Sequence, residues 1–266
     1  MKIIENNSIR IDSVDWNAIK QESYNSFSTN ESFENAHLIV KNVLQKLNDR
    51  HSTFWESATV EKIHSNVEST VIRFEVLHDS VGYIEVPSFS GFNDLRVNYW
   101  IIDLRNNSGG NMWPMISGLS PFFRKDTLGY VMDRDKRFSP WYVKFDGVFS
   151  DTVRKSQLDS FYKLENPWKK IAIIINGKTA SAAEAIVVSF KSLPDVKFFG
   201  KPTYGVSSAN TDYTLSDGSL LLLTTHIMAD RTKKLYGKRI MPDVYTEHPK
   251  EDAIKWFLEI KKQKNY

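Results

Sequence analysis

Two nearly continuous apolar runs constrain the fold of this chain more than any other feature. The first is Tyr99-Trp-Ile-Ile-Asp-Leu104, and the second is Ile171-Ala-Ile-Ile-Ile175. Such runs are typical of strands that are covered on both faces, as the inner strands of α/β sheets are. The second run leads through Asn176-Gly-Lys into small residues and then into a further apolar stretch. The pattern predicts a strand–turn–helix unit within an α/β fold that has a mixed sheet.

Helices are predicted at both ends of the chain. Residues 13–50 predict two helices, and the second carries an apolar stripe at helical spacing, formed by Ala36, Ile39, Val40, Val43, Leu44 and Leu47. We expect this stripe to pack against Trp16, Ile19 and Tyr24, which predicts a small N-terminal helical cap. An amphipathic helix is expected from about residue 249 to residue 263. Further strands are predicted at residues 69–77, 82–86, 196–199, 212–215 and 219–225, the last two as a hairpin.

The composition excludes several classes of function. The chain has 266 residues, no cysteine and a formal net charge of +3. Disulfides and thiolate sites are therefore excluded, and dispersed lysines and arginines argue against nucleic-acid binding. No histidine–carboxylate cluster has the spacing of metal ligands, so no metal or cofactor is implied. The N-terminus has no apolar run of signal-peptide or membrane-anchor length, so we expect a cytoplasmic location without an anchor. The sequence does not indicate an oligomeric state.

Ser181 lies where the second buried strand gives way to a helix, among the alanines of Thr179-Ala-Ser-Ala-Ala-Glu. A serine in such a turn is exposed to substrate, and the N–H groups of a helix N-terminus stabilise an oxyanion. Taken alone, the same position is more often occupied by a helix cap, and Thr179 or Ser181 fits that role as well.

Two further segments carry polar groups suited to the same chemistry. Asn106-Asn-Ser-Gly-Gly110 follows the first buried strand, and its glycines offer N–H groups without side chains. Taken alone, such a segment more often forms an ordinary turn. His51 follows the apolar helix stripe, and a neutral histidine is the usual base for a serine nucleophile. A lone histidine is more often structural. Each of these segments therefore indicates a catalytic site only in combination with the others.

In combination, the segments resemble the tail-specific (C-terminal-processing) serine protease family, peptidase S41. The similarity is closest to its tricorn-like and retinoid-binding-protein-like branch and covers roughly residues 35–260. The motifs that carry it, in family order, are Leu47-Asn-Asp-Arg-His-Ser-Thr-Phe54, Ile101-Ile-Asp-Leu-Arg-Asn-Asn-Ser-Gly-Gly110, Thr179-Ala-Ser-Ala-Ala-Glu184, Gly200-Lys-Pro-Thr-Tyr-Gly205 and Ile240-Met-Pro-Asp243.

The resemblance implies a core related to the Clp-protease and crotonase folds. We expect this core at residues 56–266, after the N-terminal helical cap at residues 1–55. It implies that Ser181 is the nucleophile and His51 the general base. It places the oxyanion hole at the N–H of Ala182 and an N–H of Gly109 or Gly110. The implied reaction is hydrolysis of a peptide or an unfolded protein through an acyl-enzyme.

The sequence departs from the family pattern at the groups that assist the nucleophile. Val206 stands where the processing proteases have a lysine base, which assigns the base to His51. Arg50 stands where the tricorn branch has a serine, and Tyr236 falls near the position of its distant glutamate. The chain between the histidine motif and residue 82 is also too short for a PDZ domain.

The group that orients His51 is therefore open, with Asp49 and Glu184 as candidates and Glu184 better explained by a structural role. A Ser–His dyad is the other possibility. Asp103 and Arg105 are expected to hold the glycine loop rather than to do chemistry.

Two alternatives to a peptidase share this fold. One is a catalytically silent protein that binds a peptide or other ligand, which the missing lysine favours. The other is a crotonase-like acyl-CoA enzyme, which has no need of the His51 and Ser181 motifs.

Overall fold

The computed structural model describes residues 1–26, 32–65, 73–77, 81–85, 97–123, 127–144, 146–158 and 170–263. Its α-helices are α1 (Lys2–Asn7), α2 (Trp16–Asn25), α3 (Phe33–Lys46), α4 (Ser57–Ser65), α5 (Met112–Gly118), α6 (Ala182–Phe190) and α7 (Pro249–Gln263). Its strands are β1 (Thr53–Trp55), β2 (Arg73–Leu77), β3 (Val81–Glu85), β4 (Tyr99–Asp103), β5 (Thr127–Met132), β6 (Phe138–Lys144), β7 (Gly147–Ser150), β8 (Val153–Gln157), β9 (Lys170–Ile175), β10 (Val196–Gly200), β11 (Ser208–Thr214), β12 (Leu220–Asp230) and β13 (Val244–Tyr245). This mixture confirms the predicted α/β class.

The two apolar runs form β4 and β9, and α6 follows β9 as expected. The predicted hairpin exists but is longer, because β12 continues to Asp230. Strands β5 to β8 were not predicted from the sequence. Residues 69–72 and residue 86 of two predicted strands lie outside the described residues.

The described chain divides into two compact units. The first comprises Met1–Ser69, Met132–Arg137 and Ser208–Ile227. The second comprises Thr70–Val131, Phe138–Ser207 and Met228–Tyr266. The division into a cap at residues 1–55 and a core at residues 56–266 stays a prediction. The first unit is not the same as that cap, because it includes two later segments of the chain.

The first unit joins helices α1 to α4 to a small antiparallel sheet. Strand β12 pairs with β1 on one side and with β11 on the other. The buried part of the α3 stripe consists of Val43, Leu44 and Leu47. These residues share a core with Trp16 and Ile19, as expected, whereas Tyr24 is 57% exposed and does not belong to it.

The second unit is built on a six-stranded sheet in the order β13-β10-β9-β4-β3-β2. Its paired strands are parallel except for β2, which is antiparallel to β3, so the sheet is mixed. Successive residues of β4 face opposite cores: Trp100 and Ile102 pack with α5 and α6, and Ile101 packs with Phe257 of α7. Both faces are covered, which explains why β4 and β9 are apolar throughout. Strands β5, β6, β7 and β8 lie side by side in that order.

Candidate active site

The loops that follow β4 and β9 meet at one edge of the second unit's sheet. The two strands are parallel neighbours, so their carboxyl ends lie together. The N–H of Ala180 donates to the carbonyl of Asn107 at 3.0 Å. The hydroxyl of Thr179 donates to the carbonyl of Leu104 at 2.9 Å. The turn before α6 is therefore tied to the glycine-bearing loop.

Ser181 is the residue that joins this turn to α6. Its backbone has φ +53° and ψ −115°, outside the regions that a side chain other than glycine ordinarily adopts. The conformation is held in place because the carbonyl of Ser181 accepts from Ala185 N at 3.0 Å, and its N–H donates to Glu184 Oε2 at 3.0 Å. A strained serine at the end of a buried strand and the start of a helix resembles the geometry of known nucleophile turns, and we call residues 179–181 the nucleophile turn.

The glycine pair lies against this turn, and its two members differ. A Cβ on Gly109 would lie 2.9 Å from Ser181 Cβ and 3.3 Å from Ala182 N, whereas one on Gly110 would meet no atom within 4 Å. The N–H of Gly109 donates to the side-chain Oδ1 of Asn107 at 3.0 Å. Among the described residues, the N–H of Gly110 has no hydrogen-bond acceptor. Gly110 is therefore the better placed of the two to donate to a substrate oxyanion.

Glu184 is fully buried in the first turn of α6 and gathers four donors. Its Oε2 accepts from the N–H groups of Ser181 and Val206, at 3.0 Å and 2.9 Å. Its Oε1 accepts from the hydroxyl of Thr203 at 2.6 Å and from the N–H of Gly205 at 3.1 Å. Burial raises the pKa of the Glu184 carboxyl, and these hydrogen bonds oppose the rise. The contacts fit a structural role, in which Glu184 joins the nucleophile turn to residues 203–206.

Asp103 and Arg105 lie at the end of β4 and form a bidentate ion pair. Arg105 NH2 lies 2.6 Å from Asp103 Oδ2, and the backbone N–H of Arg105 donates to Oδ1 at 2.9 Å. The hydroxyl of Tyr83 donates to the same carboxylate at 2.7 Å. Hydrogen bonding to Asp103 raises the pKa of Arg105, so the guanidinium stays charged. These contacts are consistent with the expectation that Asp103 and Arg105 hold the glycine loop.

His51 lies in the first unit, directly before β1. Its backbone N–H donates to Asp49 Oδ1 at 3.0 Å, and its carbonyl accepts from Asn210 Nδ2 at 2.9 Å. Its ring Nδ1 lies 2.8 Å from the hydroxyl of Ser208. Burial lowers the pKa of His51, and the charge of Asp49 opposes that shift. The imidazole is therefore neutral at neutral pH, as a general base must be.

Val206 and Tyr236, where the sequence departs from the family pattern, have defined hydrogen-bond partners. Val206 is buried, and its N–H is held by Glu184. The hydroxyl of Tyr236 donates to Asp230 Oδ2 at 2.9 Å. Burial, reinforced by that carboxylate, raises the pKa of Tyr236. Neither side chain supplies a base or a carboxylate in place of the family's residue.

Sequence reasoning missed Ser208 and Asn210, which contact His51 from β11. They are more than 150 positions away along the chain, and no spacing links them to the histidine motif. The sequence did offer a signal for Thr203, because it lies in the Gly200-Lys-Pro-Thr-Tyr-Gly205 motif. Over the part of the chain that the structure describes, no three His, Asp or Glu side chains are placed to hold a metal ion.

The arrangement agrees with a match to a known family. The model described as Peptidase family S41 matches residues 80–246, more than half of the chain. The chain belongs to peptidase family S41. Membership makes it a serine peptidase at the level of the family, and it implies peptide or protein substrates.

Relatives of this S41 peptidase include proteins of several kinds. The nisin-resistance protein of Lactococcus lactis subsp. lactis is 26% identical over 261 residues, which cover 92% of this chain and 80% of that protein. The chloroplastic carboxyl-terminal-processing peptidase 2 of Arabidopsis thaliana is 28% identical over 54% of this chain. A probable CtpA-like serine protease of Staphylococcus epidermidis is 26% identical over 59% of it. The matched region spans only 27% and 29% of those two longer proteins.

Solved structures share the fold. The structure of a lipoprotein from Streptococcus agalactiae superposes with a TM-score of 0.78 at 28% identity, covering 96% of this chain and 92% of that one. The photosystem II D1 C-terminal processing protease superposes with a TM-score of 0.62 at 13% identity, covering 92% and 90%. The second likeness concerns the fold alone. Together they confirm the predicted S41 protease fold.

Within the described ranges, the S41 peptidase has no helix that is both long and apolar enough to cross a membrane. Its relatives include a chloroplastic enzyme, and one similar structure is a lipoprotein. The cytoplasmic location stays a prediction.

Proposed function

We propose that this S41 peptidase cleaves peptides, as an endopeptidase or a processing peptidase, through an acyl-enzyme at Ser181. The observation that carries the proposal is the strained turn at Ser181, with φ +53°, against which Gly109 is packed. A helix cap alone does not require the neighbouring loop to end in two glycines at positive φ. An oxyanion hole accounts for them, because N–H groups without a side chain can approach the substrate carbonyl closely.

In the proposed reaction, His51 Nε2 accepts the hydroxyl proton of Ser181 while Oγ bonds to the peptide carbonyl carbon. The N–H groups of Ala182 and Gly110 stabilise the resulting oxyanion, each contributing roughly 10²- to 10³-fold in rate. The C–N bond then breaks as the His51 imidazolium protonates the leaving amine. Water, deprotonated by His51, then bonds to the acyl carbon; the ester bond to Oγ breaks, and the His51 imidazolium returns the proton to Ser181.

The test is cleavage of a diverse peptide mixture, read by mass spectrometry, by the wild type and by Ser181→Ala. We expect cleavage by the wild type and none by Ser181→Ala. Ser192→Ala is the matched control, because it removes a hydroxyl bonded to Asp230 at the other end of α6. Equal cleavage by Ser181→Ala and the wild type would remove Ser181 from the mechanism.

The choice of substrate follows from the relative that aligns over most of this chain. The nisin-resistance protein is named for nisin, and its alignment covers 92% of this chain. We therefore propose small antimicrobial peptides of that kind as a substrate class, and nisin belongs in the peptide mixture. New nisin fragments that depend on Ser181 would support the proposal. Cleavage of other peptides with nisin left intact would contradict this substrate class and leave the peptidase activity standing.

A silent binding protein is the second candidate. It is favoured by Val206 at the position of the family's lysine, since no base is available there. Absence of cleavage by folded wild type, together with saturable binding of a labelled peptide from the same mixture, would favour this function over the first.

A further inference from the structure

His51 is held by one strand at two points. Ser208 and Asn210 are two residues apart on β11; the hydroxyl of Ser208 contacts ring Nδ1 at 2.8 Å, and the amide of Asn210 donates to the His51 carbonyl at 2.9 Å. Residues two apart lie on the same face of a strand. The same face of β11 therefore holds both the ring and the backbone of His51.

The pairing of β11 with β12 is irregular between these two residues. Ser208 pairs with Ile227 of β12 and Asn210 pairs with Thr224, so the register shifts between Ala209 and Asn210. The extra residue is Thr225 of β12, so β12 is the bulged strand and β11 keeps its alternation of faces; bulges are frequent next to active sites. Here the irregularity lies between the two residues that hold His51.

The nearby carboxylate is already engaged elsewhere. Asp49 is the charged group that acts on the pKa of His51, but its Oδ1 accepts from the backbone N–H of His51. It therefore holds the loop, and the hydroxyl of Ser208 lies within hydrogen-bond distance of ring Nδ1. Ser208 is 8% exposed, so little water competes for this hydrogen bond.

We propose that Ser208 is the positioning residue of His51: its hydroxyl oxygen accepts the Nδ1 proton and leaves the lone pair on Nε2. The inference rests on the proposed function of His51 as general base. If the hydroxyl donated to Nδ1 instead, the proton would lie on Nε2 and the ring could not deprotonate Ser181. A hydroxyl is neutral, so it fixes the orientation and tautomer without adding a negative charge beside the imidazolium.

The tautomer is measured directly by ¹⁵N NMR of the histidine rings in the whole chain, at a pH above the pKa of His51. The His51 signals are assigned by their loss in His51→Gln. We expect the wild type to carry the proton on Nδ1, and we expect the fraction protonated on Nε2 to rise in Ser208→Ala. Ser208→Thr keeps a hydroxyl and should retain the wild-type tautomer. A wild type protonated on Nε2, or the same tautomer ratio in Ser208→Ala, overturns the proposal.

Kinetics on a cleaved peptide provide the second readout. We expect Ser208→Ala to lower kcat by at least about 10-fold with KM nearly unchanged, yet by less than the roughly 10⁴-fold loss that follows removal of a carboxylate orienter. Ser208→Thr should restore most of kcat. Ser219→Ala is the matched control, because Ser219 is a buried serine of the same hairpin whose hydroxyl donates to Asp217 instead.

The two readouts separate this proposal from the proposed function. Full kcat in Ser208→Ala contradicts the positioning role while leaving the peptidase intact. If no variant cleaves any peptide, the proposed function fails, and the NMR result still decides whether Ser208 sets the tautomer. If Ser208→Ala does not fold, the wild-type tautomer alone remains decisive.

Discussion

At Ser181 the backbone is held in a conformation that costs on the order of 1–3 kcal/mol. The N–H of Ser181 is taken by Glu184 and its carbonyl by the first turn of α6, so local hydrogen bonds offset the strain. The same turn leaves the N–H of Ala182 at the start of the helix, where the helix dipole favours negative charge. In the proposed mechanism, strain and oxyanion stabilisation therefore arise from two adjacent residues, Ser181 and Ala182.

The protonation of His51 sets the expected pH dependence. Its pKa is lowered by burial, to below the ordinary value of 6.5, and the proposed mechanism requires a neutral ring. We expect kcat/KM to rise with pH through an apparent pKa below 6.5 and to reach a plateau above it. Asp49→Asn removes the charge that opposes the shift, so its acid limb should move to lower pH.

The measurement is a pH profile of kcat/KM for the wild type, Asp49→Asn and Asp12→Asn. Asp12 is an exposed aspartate of the same unit, with 77% of its side chain accessible, and its removal should leave the profile in place. An acid limb above pH 6.5 in the wild type, or no shift in Asp49→Asn, contradicts the assignment.

At the scale of elements, the loop after β4 and the turn after β9 form one structure. Their strands were predictable, because each is an uninterrupted apolar run that ends in residues typical of turns. The use of Asn107 to bind the N–H of Gly109 was not predictable, since both glycines look alike in sequence. The contact between His51 and Ser208 was not predictable either, because it depends on pairing between segments far apart along the chain.

Substitution of the two glycines tests the packing of these elements. Gly109→Ala combines a φ of +111° with a Cβ that lies 2.9 Å from Ser181 Cβ, so the nucleophile turn must move. Gly110→Ala has a similar φ of +109° but meets no atom. We expect Gly109→Ala to lower the free energy of unfolding more than Gly110→Ala does, by about 1–3 kcal/mol, because only the Cβ at residue 109 is overpacked.

Denaturant titration of both variants measures this difference. Equal losses of stability would show that backbone conformation alone accounts for the effect. We also expect Gly109→Ala to lower kcat by roughly 10²-fold or more, since an oxyanion donor is displaced with the loop.

At the scale of the whole molecule, each compact unit has a core of its own. Leu47 lies in the core of the first unit, and Phe257 lies in one of the cores of the second. A boundary at residue 55 follows naturally from reading the chain in order, but the first unit includes a hairpin from beyond residue 207. Its assignment to this unit depends on apolar contacts of Leu221 and Leu223, which no local pattern reveals.

Separate cores predict separate losses of stability. Leu47 and Phe257 are each 1% exposed, so we expect Leu47→Ala to cost about 2–5 kcal/mol and Phe257→Ala about 3–5 kcal/mol. Hydrogen exchange should quicken in α1 to α3 for the first variant and around α7 for the second. The matched controls on α3 and α7 are Leu38→Ala and Leu258→Ala, at residues 57% and 43% exposed. Uniform loss of protection across the chain in both variants would contradict independent cores.

The packing of Gly109 against Ser181 also limits how this chemistry can be transplanted. A designer who grafts the six residues from Thr179 to Glu184 onto another scaffold brings the hydroxyl but not the surface that shapes its turn. That surface comes from the loop after β4, held by Asn107. The smallest segment set that could be transferred with its geometry is therefore β4 and β9, the loops that follow them, and α6.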